Sequence, residues 1–292
     1  MRPRYLRKPG YTIVEMLVVV AIIATLMGLL FPAVQAARES GRRTACTANQ
    51  TQIALAINSH DQAKGYIPGW RNSNPAGTVQ TPSWPIPILP YAERNDVYQS
   101  WTQGNTPSAY LSTFVCSSAV VGSTTQAVLS YAGNAGSLAN TRKWDGVMLD
   151  TTFSDTGRID MEDIAQGDGT ATTLLLAEKS ATGTGLPQQL WGAIMPLVPA
   201  SFAATPAFGI TVDLSASARS NNLPSSNHSS VVVVAFCDGH AMALRTDIDT
   251  KVYAQLITSK NSKASVYARN SPTASPPGWN TGTYILGDSD YK

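Results

Sequence analysis

Charge is scarce in this chain: Asp, Glu, Lys and Arg make up 14% of its 292 residues and leave a net charge of +2, against about 25% charged residues in an ordinary soluble domain. A protein that neutralises phosphates needs a basic face, so a nucleic-acid partner is not expected. Histidine is scarcer still, with only His60, His228 and His240. Few general bases are therefore on hand, neither a GxSxG elbow nor an HExxH helix occurs, and no enzymatic activity is expected. The three cysteines, Cys46, Cys116 and Cys237, lie far apart and form no CxxC or Cys/His cluster, which argues against a zinc site of familiar spacing. Pairing Cys46 with Cys116 would close a loop of roughly 70 residues, worth about 4 kcal/mol in the chain-entropy model. Buried unpaired thiols would contribute packing alone. The sequence leaves both states open.

One long apolar run is present, and it comes first. Arg2, Arg4, Arg7 and Lys8 precede Pro9-Gly10-Tyr11-Thr12-Ile13-Val14-Glu15, and an almost unbroken apolar stretch follows over residues 16–31. With Ile13 and Val14 this approaches the ~20 residues a helix needs to cross hydrocarbon. The basic stretch before it favours a cytoplasmic N-terminus, although Arg38, Arg42 and Arg43 beyond it weaken the asymmetry. A secretory signal cut after Ala36 is the competing reading, because Val34-Gln35-Ala36 offers small residues. Glu15 counts against it: a carboxylate at the mouth of an apolar segment is costly, and a disposable signal gains nothing from it. Helical sequence also continues past Ala36.

Gly10-Tyr11-Thr12-Ile13-Val14-Glu15 with the apolar run behind it resembles the motif of bacterial prepilins. The resemblance implies cleavage by prepilin peptidase after Gly10 and methylation of the new amine on Tyr11, where the family usually carries phenylalanine. Glu15 then stands fifth in the mature chain, and the carboxylate of one subunit is the natural partner for the Tyr11 amine of the next. Pro32 falls where pilin-like proteins often carry a helix-bending proline. The segment is divided accordingly into a leader, residues 1–10, and a pilin-like helix, residues 11–64, spanning the membrane over about 13–31. A helix over 13–57 would be about 68 Å long. Its second half is amphipathic, with Cys46, Ile53 and Ile57 at helical spacing and Arg38, Arg42, Arg43, Asn49 and Gln52 for the outer surface. His60, near its end, reads as a surface or helix-end polar contact.

After Gly65 the composition turns to Pro, Gly, Ser and Thr with short apolar runs, which predicts a β-rich globular domain over 65–292. Strands are expected at 110–116, 127–132, 146–149, 171–177, 190–195, 210–214, 230–237 and 240–245, and short helices near 93–101, 161–165 and 249–258. The fold class is α+β, a long N-terminal helix packed on a mostly antiparallel domain. Asp238-Gly239 between two apolar runs is a strong hairpin signal. His228 precedes the first of those strands, and an antiparallel return would place it near 244–246. A structural hydrogen bond is the favoured role for His228, ahead of a metal site. Asp168-Gly169-Thr170 reads as a turn into a buried strand, without the Lys and Gly spacing of a phosphate loop. Glu178 at that strand's end reads as solvated or structural.

His228, nine residues and then Asp238-Gly239, together with residues 46–66, 84–91, 114–116, 130–134 and Asp168-Gly169-Thr170 with Glu178, resemble a large bacterial family of prepilin-type proteins. That family has a C-terminal His-x9-Asp-Gly motif and no characterised biochemical function. Asp155, Asp160, Glu162, Asp163, Asp288 and Asp290 are of the kind that gathers calcium, but no motif fixes them, and no cofactor is predicted. The six tryptophans read as core before carbohydrate-binding face. The leading expectation is a structural pilin-like or pseudopilin subunit of a type II secretion or type IV pilus-like assembly, in the inner membrane with its C-terminal domain extracytoplasmic. Its expected partners are prepilin peptidase, an assembly platform, membrane lipid and other pilin-like subunits through the helix. The alternative is a membrane-tethered extracytoplasmic binding module that does not polymerise. A tethered hydrolase ranks third.

Overall fold

The computed structural model describes residues 12–73, 82–105, 110–119, 128–136, 143–144, 146–151, 157–179, 207–209, 226–248 and 250–260. In chain order its elements are α1 (Ile13–Lys64), α2 (Pro85–Ile88), a 3₁₀ turn (Leu89–Ala92), α3 (Asn95–Thr102), a second 3₁₀ turn (Ser112–Phe114), β1 (Tyr131–Gly136), α4 (Met161–Ala165), β2 (Leu174–Glu178), β3 (Ala207–Gly209), β4 (Val231–Phe236), β5 (Ala241–Arg245) and α5 (Thr250–Ile257). The class is α+β, as the composition shift after Gly65 implies. Contacts divide the chain into two compact units, Met1–Arg42 and Arg43–Lys292.

The first unit carries the start of α1. Thr12 and Glu15 form a reciprocal capping box: the Thr12 amide and hydroxyl donate to Glu15 Oε2 at 2.8 and 3.0 Å, and the Glu15 amide donates to Thr12 Oγ1 at 3.3 Å. From there the apolar side chains face outward along the whole turn of the helix, from Ile13 at 81% exposed to Val34 at 45%. The helix continues through Pro32. A segment this apolar and this bare among the protein's own atoms is suited to lipid or to other helices, not to water.

In the second unit α1 changes character. Cys46, Gln50, Ile53, Ala54, Ile57, His60 and Asp61 are buried, a stripe at three- and four-residue spacing. It packs on one face of a five-stranded sheet of order β3-β1-β2-β4-β5, in which β1, β2, β4 and β5 are antiparallel neighbours and β3 lies parallel to β1 at the edge. Alternation along β4 sorts the two faces. Val233 and Ala235 join the core beneath α1, whereas Val232, Val234 and Phe236 join a second core with Tyr253, Leu256 and Ile257 of α5. In β2 the alternation slips: Leu175 and Leu176 both belong to the α1 side, flanked by Leu174 and Ala177 on the α5 side. A register irregularity against β4 between Leu174 and Leu176 accounts for it, since one extra residue in a strand resets which face follows. Gln50 places its amide in this interior by donating to the Val233 carbonyl at 2.7 Å.

The cysteines resolve the open question. Cys46 and Cys116 are joined, Cα to Cα 5.1 Å, and Cys237 is a buried free thiol.

Several expected elements differ. The strand expected at 110–116 is a 3₁₀ turn with extended flanks, because the Ser112 and Val115 carbonyls are taken by the Asn49 amide at 3.3 and 3.2 Å instead of a neighbouring strand. Asn49 therefore faces this loop and not the outer surface. The strand expected at 127–132 begins and ends four residues later. Gly133 belongs inside it because a Cβ there would collide with the Met148 side chain, and Gly136 ends it at a positive φ of 62°. Residues 146–149 are a loop whose Val147 and Met148 amides both donate to the Asn134 carbonyl. The α2 turn, opened by Pro85 at a position where a missing N–H costs nothing, was not anticipated. The strands expected at 190–195 and 210–214 lie outside the described residues. Trp70, Trp84 and Trp101 are core, in keeping with the composition argument.

His60 is not at the surface. It is buried between Tyr66 and Tyr91, ring centroids 5.3 and 5.6 Å away, with Nδ1 3.1 Å from the Tyr66 carbonyl. Burial disfavours its cation and pulls its pKa below the ordinary 6.5, against a smaller opposing effect of the Tyr66 carbonyl. The unfolded chain then takes up its proton first as the pH falls, so stability present above 6.5 is lost below it until the folded ring also protonates. His60→Asn should flatten the fall in stability over roughly pH 7 to 5, read as the difference between wild-type and variant denaturation midpoints across that range.

Candidate functional site

Gly10 and Tyr11 of the processing motif lie outside the described residues. Glu15 is exposed, and its cap on Thr12 uses only residues that follow Gly10.

At the other end of the chain, the nine residues between His228 and Asp238 are accounted for by one strand and the turns at its two ends. β4 takes six of them, so His228 and Asp238-Gly239 stand at opposite ends of roughly 20 Å of extended chain and do not converge. At the far end, the Gly239 amide donates to the Phe236 carbonyl at 3.0 Å and the Phe236 amide to the His240 carbonyl at 2.9 Å. Only Gly239 takes a positive φ there, +97°, which makes the turn a three-residue loop with the glycine in the left-handed position. Asp238 Oδ1 accepts from the His240 amide at 3.0 Å and lies 2.6 Å from His240 Nδ1, while the His240 ring stacks on Phe236 at 4.3 Å. The turn docks on the other Asp-Gly motif: the Cys237 amide donates to the Thr173 carbonyl and the Asp238 amide to the Thr170 carbonyl, at 3.0 and 3.1 Å. Thr170 and Thr173 therefore form a seat for the hairpin at the turn that leads into β2.

At the near end, the backbone of Ser230 meets the end of β5, accepting from the Thr246 amide at 3.1 Å. The His228 side chain goes the other way, contrary to the expected placement near 244–246, because β4 has β2 as its second neighbour. His228 Nε2 lies 3.3 Å from Glu178 Oε1 and 3.5 Å from Cys116 Sγ. Both side chains are essentially closed to solvent, 0% and 2% exposed. Glu178 is thus not solvated. Its Oε2 accepts from Ser226 Oγ at 2.6 Å and from the Val233 amide at 3.0 Å, replacing a ladder bond where β2 runs out. Ser226 Oγ in turn accepts from the His228 amide at 3.0 Å, and Asn227 donates to the Ser118 carbonyl at 2.9 Å.

The result is a buried centre in which Cys46, Cys116, Glu178 and His228 bring one candidate ligand atom each to within 4.8 Å of one another. No spacing in the sequence announces it: Cys116 and His228 are separated by 112 residues. The remaining thiol, Cys237, is fully buried among apolar groups, and burial pushes its pKa well above the ordinary value, which makes it inert. Of the acidic residues of the kind that gathers calcium, Asp160 caps α4 by accepting from the Asp163 amide at 2.7 Å, Asp163 pairs with Lys143 at 2.9 Å and Glu162 accepts from the Gln166 side-chain amide at 2.8 Å, whereas Asp155, Asp288 and Asp290 lie outside the described residues.

Two substitutions test this geometry. Gly239→Ala places a Cβ in ordinary contact with Leu55 and Asn58, at 3.6 and 3.7 Å, so its cost is the left-handed backbone alone, about 1–2 kcal/mol. It should appear as a lower denaturant midpoint at unchanged slope. Glu178→Ala leaves the Val233 amide without its acceptor, about 1–3 kcal/mol for that group, and should destabilise more than Glu178→Gln in the same measurement.

No curated protein and no solved structure matches this chain. Residues 6–31 match the prokaryotic N-terminal methylation motif, over the segment that carries Gly10, Tyr11 and Glu15 and most of the bare apolar run. Residues 35–251, more than half of the chain and all five strands of the sheet, match a second description, and on that match the chain belongs to the family described as protein of unknown function (DUF1559).

Proposed function

We propose that this chain is a structural pilin-like or pseudopilin subunit of a type II secretion or type IV pilus-like assembly, and that chemistry is done to it, not by it. Prepilin peptidase cuts after Gly10 and methylates the Tyr11 amine. The mature chain waits in the inner membrane with its N-terminus cytoplasmic and its β domain outside, and an assembly platform draws it into a filament through α1.

The observation that carries this reading is α1 itself. One unbroken helix of 52 residues, about 78 Å long, is apolar and bare at its start and packed into a domain at its end. A plain anchor needs only ~20 residues. The extra length is the shape required of a subunit that leaves lipid and buries the same apolar surface against neighbouring copies. The methylation motif over 6–31 supports the processing step.

One observation favours the tethered module. The Glu15 carboxylate already has partners within its own chain, Thr12, and does not require a neighbouring amine to be satisfied. Mass spectrometry of membrane and sheared-surface fractions separates the two readings. A filament subunit appears in both fractions as a chain beginning at methylated Tyr11, and Glu15→Ala depletes the sheared fraction while the membrane form persists. Methylated Tyr11 confined to membranes would favour the tethered module, and a chain beginning at Ala37 would overturn the prepilin assignment.

A further inference from the structure

The centre around the disulfide has the donor set and the dimensions of a metal site. In a tetrahedral zinc complex with bonds of about 2.3 Å to sulfur and about 2.0–2.1 Å to nitrogen and oxygen, neighbouring ligand atoms stand roughly 3.3–3.8 Å apart. His228 Nε2 is 3.3 Å from Glu178 Oε1 and 3.5 Å from Cys116 Sγ. Two edges of such a tetrahedron are therefore already at length, and all four ligand atoms lie within 4.8 Å of one another. The edge that is too short is the one between the sulfurs, because in the disulfide form it is a covalent bond.

A second observation points to a ligand. Glu178 Oε1 is buried and accepts no hydrogen bond among the described residues, although its twin Oε2 accepts two. A buried carboxylate oxygen facing a histidine nitrogen and a sulfur, with its other oxygen fixed by a serine and a backbone amide, is held as an oriented metal ligand is held. The sulfurs have supporting donors too: the Ser118 amide donates to Cys116 Sγ at 3.4 Å, and Ser117 Oγ lies 3.6 Å from Cys46 Sγ. Such contacts lower the cost of thiolates in a buried site.

We propose that the dithiol form of this centre binds one zinc ion, with Cys46, Cys116, Glu178 and His228 as its four ligands. Two thiolates, an imidazole and a carboxylate form a borderline-soft set that suits zinc and disfavours calcium or magnesium. Metal and disulfide exclude each other. When the disulfide closes, the two thiolates give two electrons to the disulfide of a thiol oxidoreductase, which becomes a dithiol on taking two protons, and zinc leaves as the aqueous ion. The centre is thus held together by one of two means before and after oxidation. This inference is independent of whether the chain polymerises.

The test uses the full chain in detergent micelles, reduced under argon by a phosphine, which takes up the oxygen of a water molecule as the two sulfurs become thiols. Cobalt(II) replaces zinc as a visible probe. The expected result is one cobalt per chain, with a thiolate-to-cobalt charge-transfer band and the intense visible bands of tetrahedral coordination, all displaced by zinc and none present in the oxidised chain. Glu178→Gln and His228→Gln should each weaken binding about tenfold or more, with folding checked by circular dichroism. A folded dithiol chain without those bands would overturn the proposal, as would bands and affinity unchanged in both variants, which would mean the sulfurs act alone. Should neither variant fold, the wild-type spectrum decides: tetrahedral intensity supports four protein ligands, and weak octahedral bands refute them.

Discussion

Burial of the α1 stripe from Cys46 to Asp61 against the sheet is the constraint on which the rest of this domain is built. It requires β1, β2 and β4 to be apolar on the face they turn to the helix, and Tyr131, Leu175, Leu176, Val233 and Ala235 meet that requirement. A sheet this short cannot then leave its other face to water, since Val232, Val234, Phe236 and Leu244 are equally apolar, and α5 covers them. β2 and β4 therefore read as nearly continuous hydrophobic runs, as strands buried on both faces do. Polar groups that enter this interior do so on fixed terms. The Asn134 amide donates to the Leu174 and Ile257 carbonyls at 2.7 Å each, tying β1 to β2 and to the end of α5. Gln50 ties α1 to β4 in the same manner.

How much of this was legible in the sequence follows from how local each signal is. α1, α4, α5 and the β4–β5 hairpin could be read because periodicity, capping residues and a turn glycine all lie within a few positions of one another. β1 is displaced from its expected position because its glycines and asparagine look like a turn, and only the nearness of the Met148 side chain explains why Gly133 is wanted in a strand there. The segment 110–116 has the apolar and β-branched content of a strand, but Asn49, more than sixty residues earlier, takes the carbonyls a strand would have offered. The candidate site was legible in its parts and not as a whole. His228, Glu178 and the cysteines were each weighed, but their meeting depends on β2 running beside β4 and on a loop pinned to α1.

The His-x9-Asp-Gly pattern takes a physical meaning from this arrangement. A spacing that suggests two halves of one site instead measures a strand together with its turns. The histidine fastens the start of β4 to β2 and to the 116–118 loop, and the aspartate and glycine fold its end back and seat it on residues 170–173. Motifs separated by the length of an element need not converge, and here they act as the two fixings of a central strand.

The position of the disulfide has a mechanical consequence. Cys46 is the first fully buried residue of α1, so a tension applied along the helix from its bare apolar start reaches a covalent bond before it reaches the stripe of fully buried side chains. The contacts from Gln50 to Asp61 lie downstream of that bond and would otherwise have to resist in shear, one after another. With Cys46 tied to Cys116, the load passes directly into the loop that Asn49, Ser117 and Asn227 brace. The helix can then be hauled by its end without being peeled from its domain.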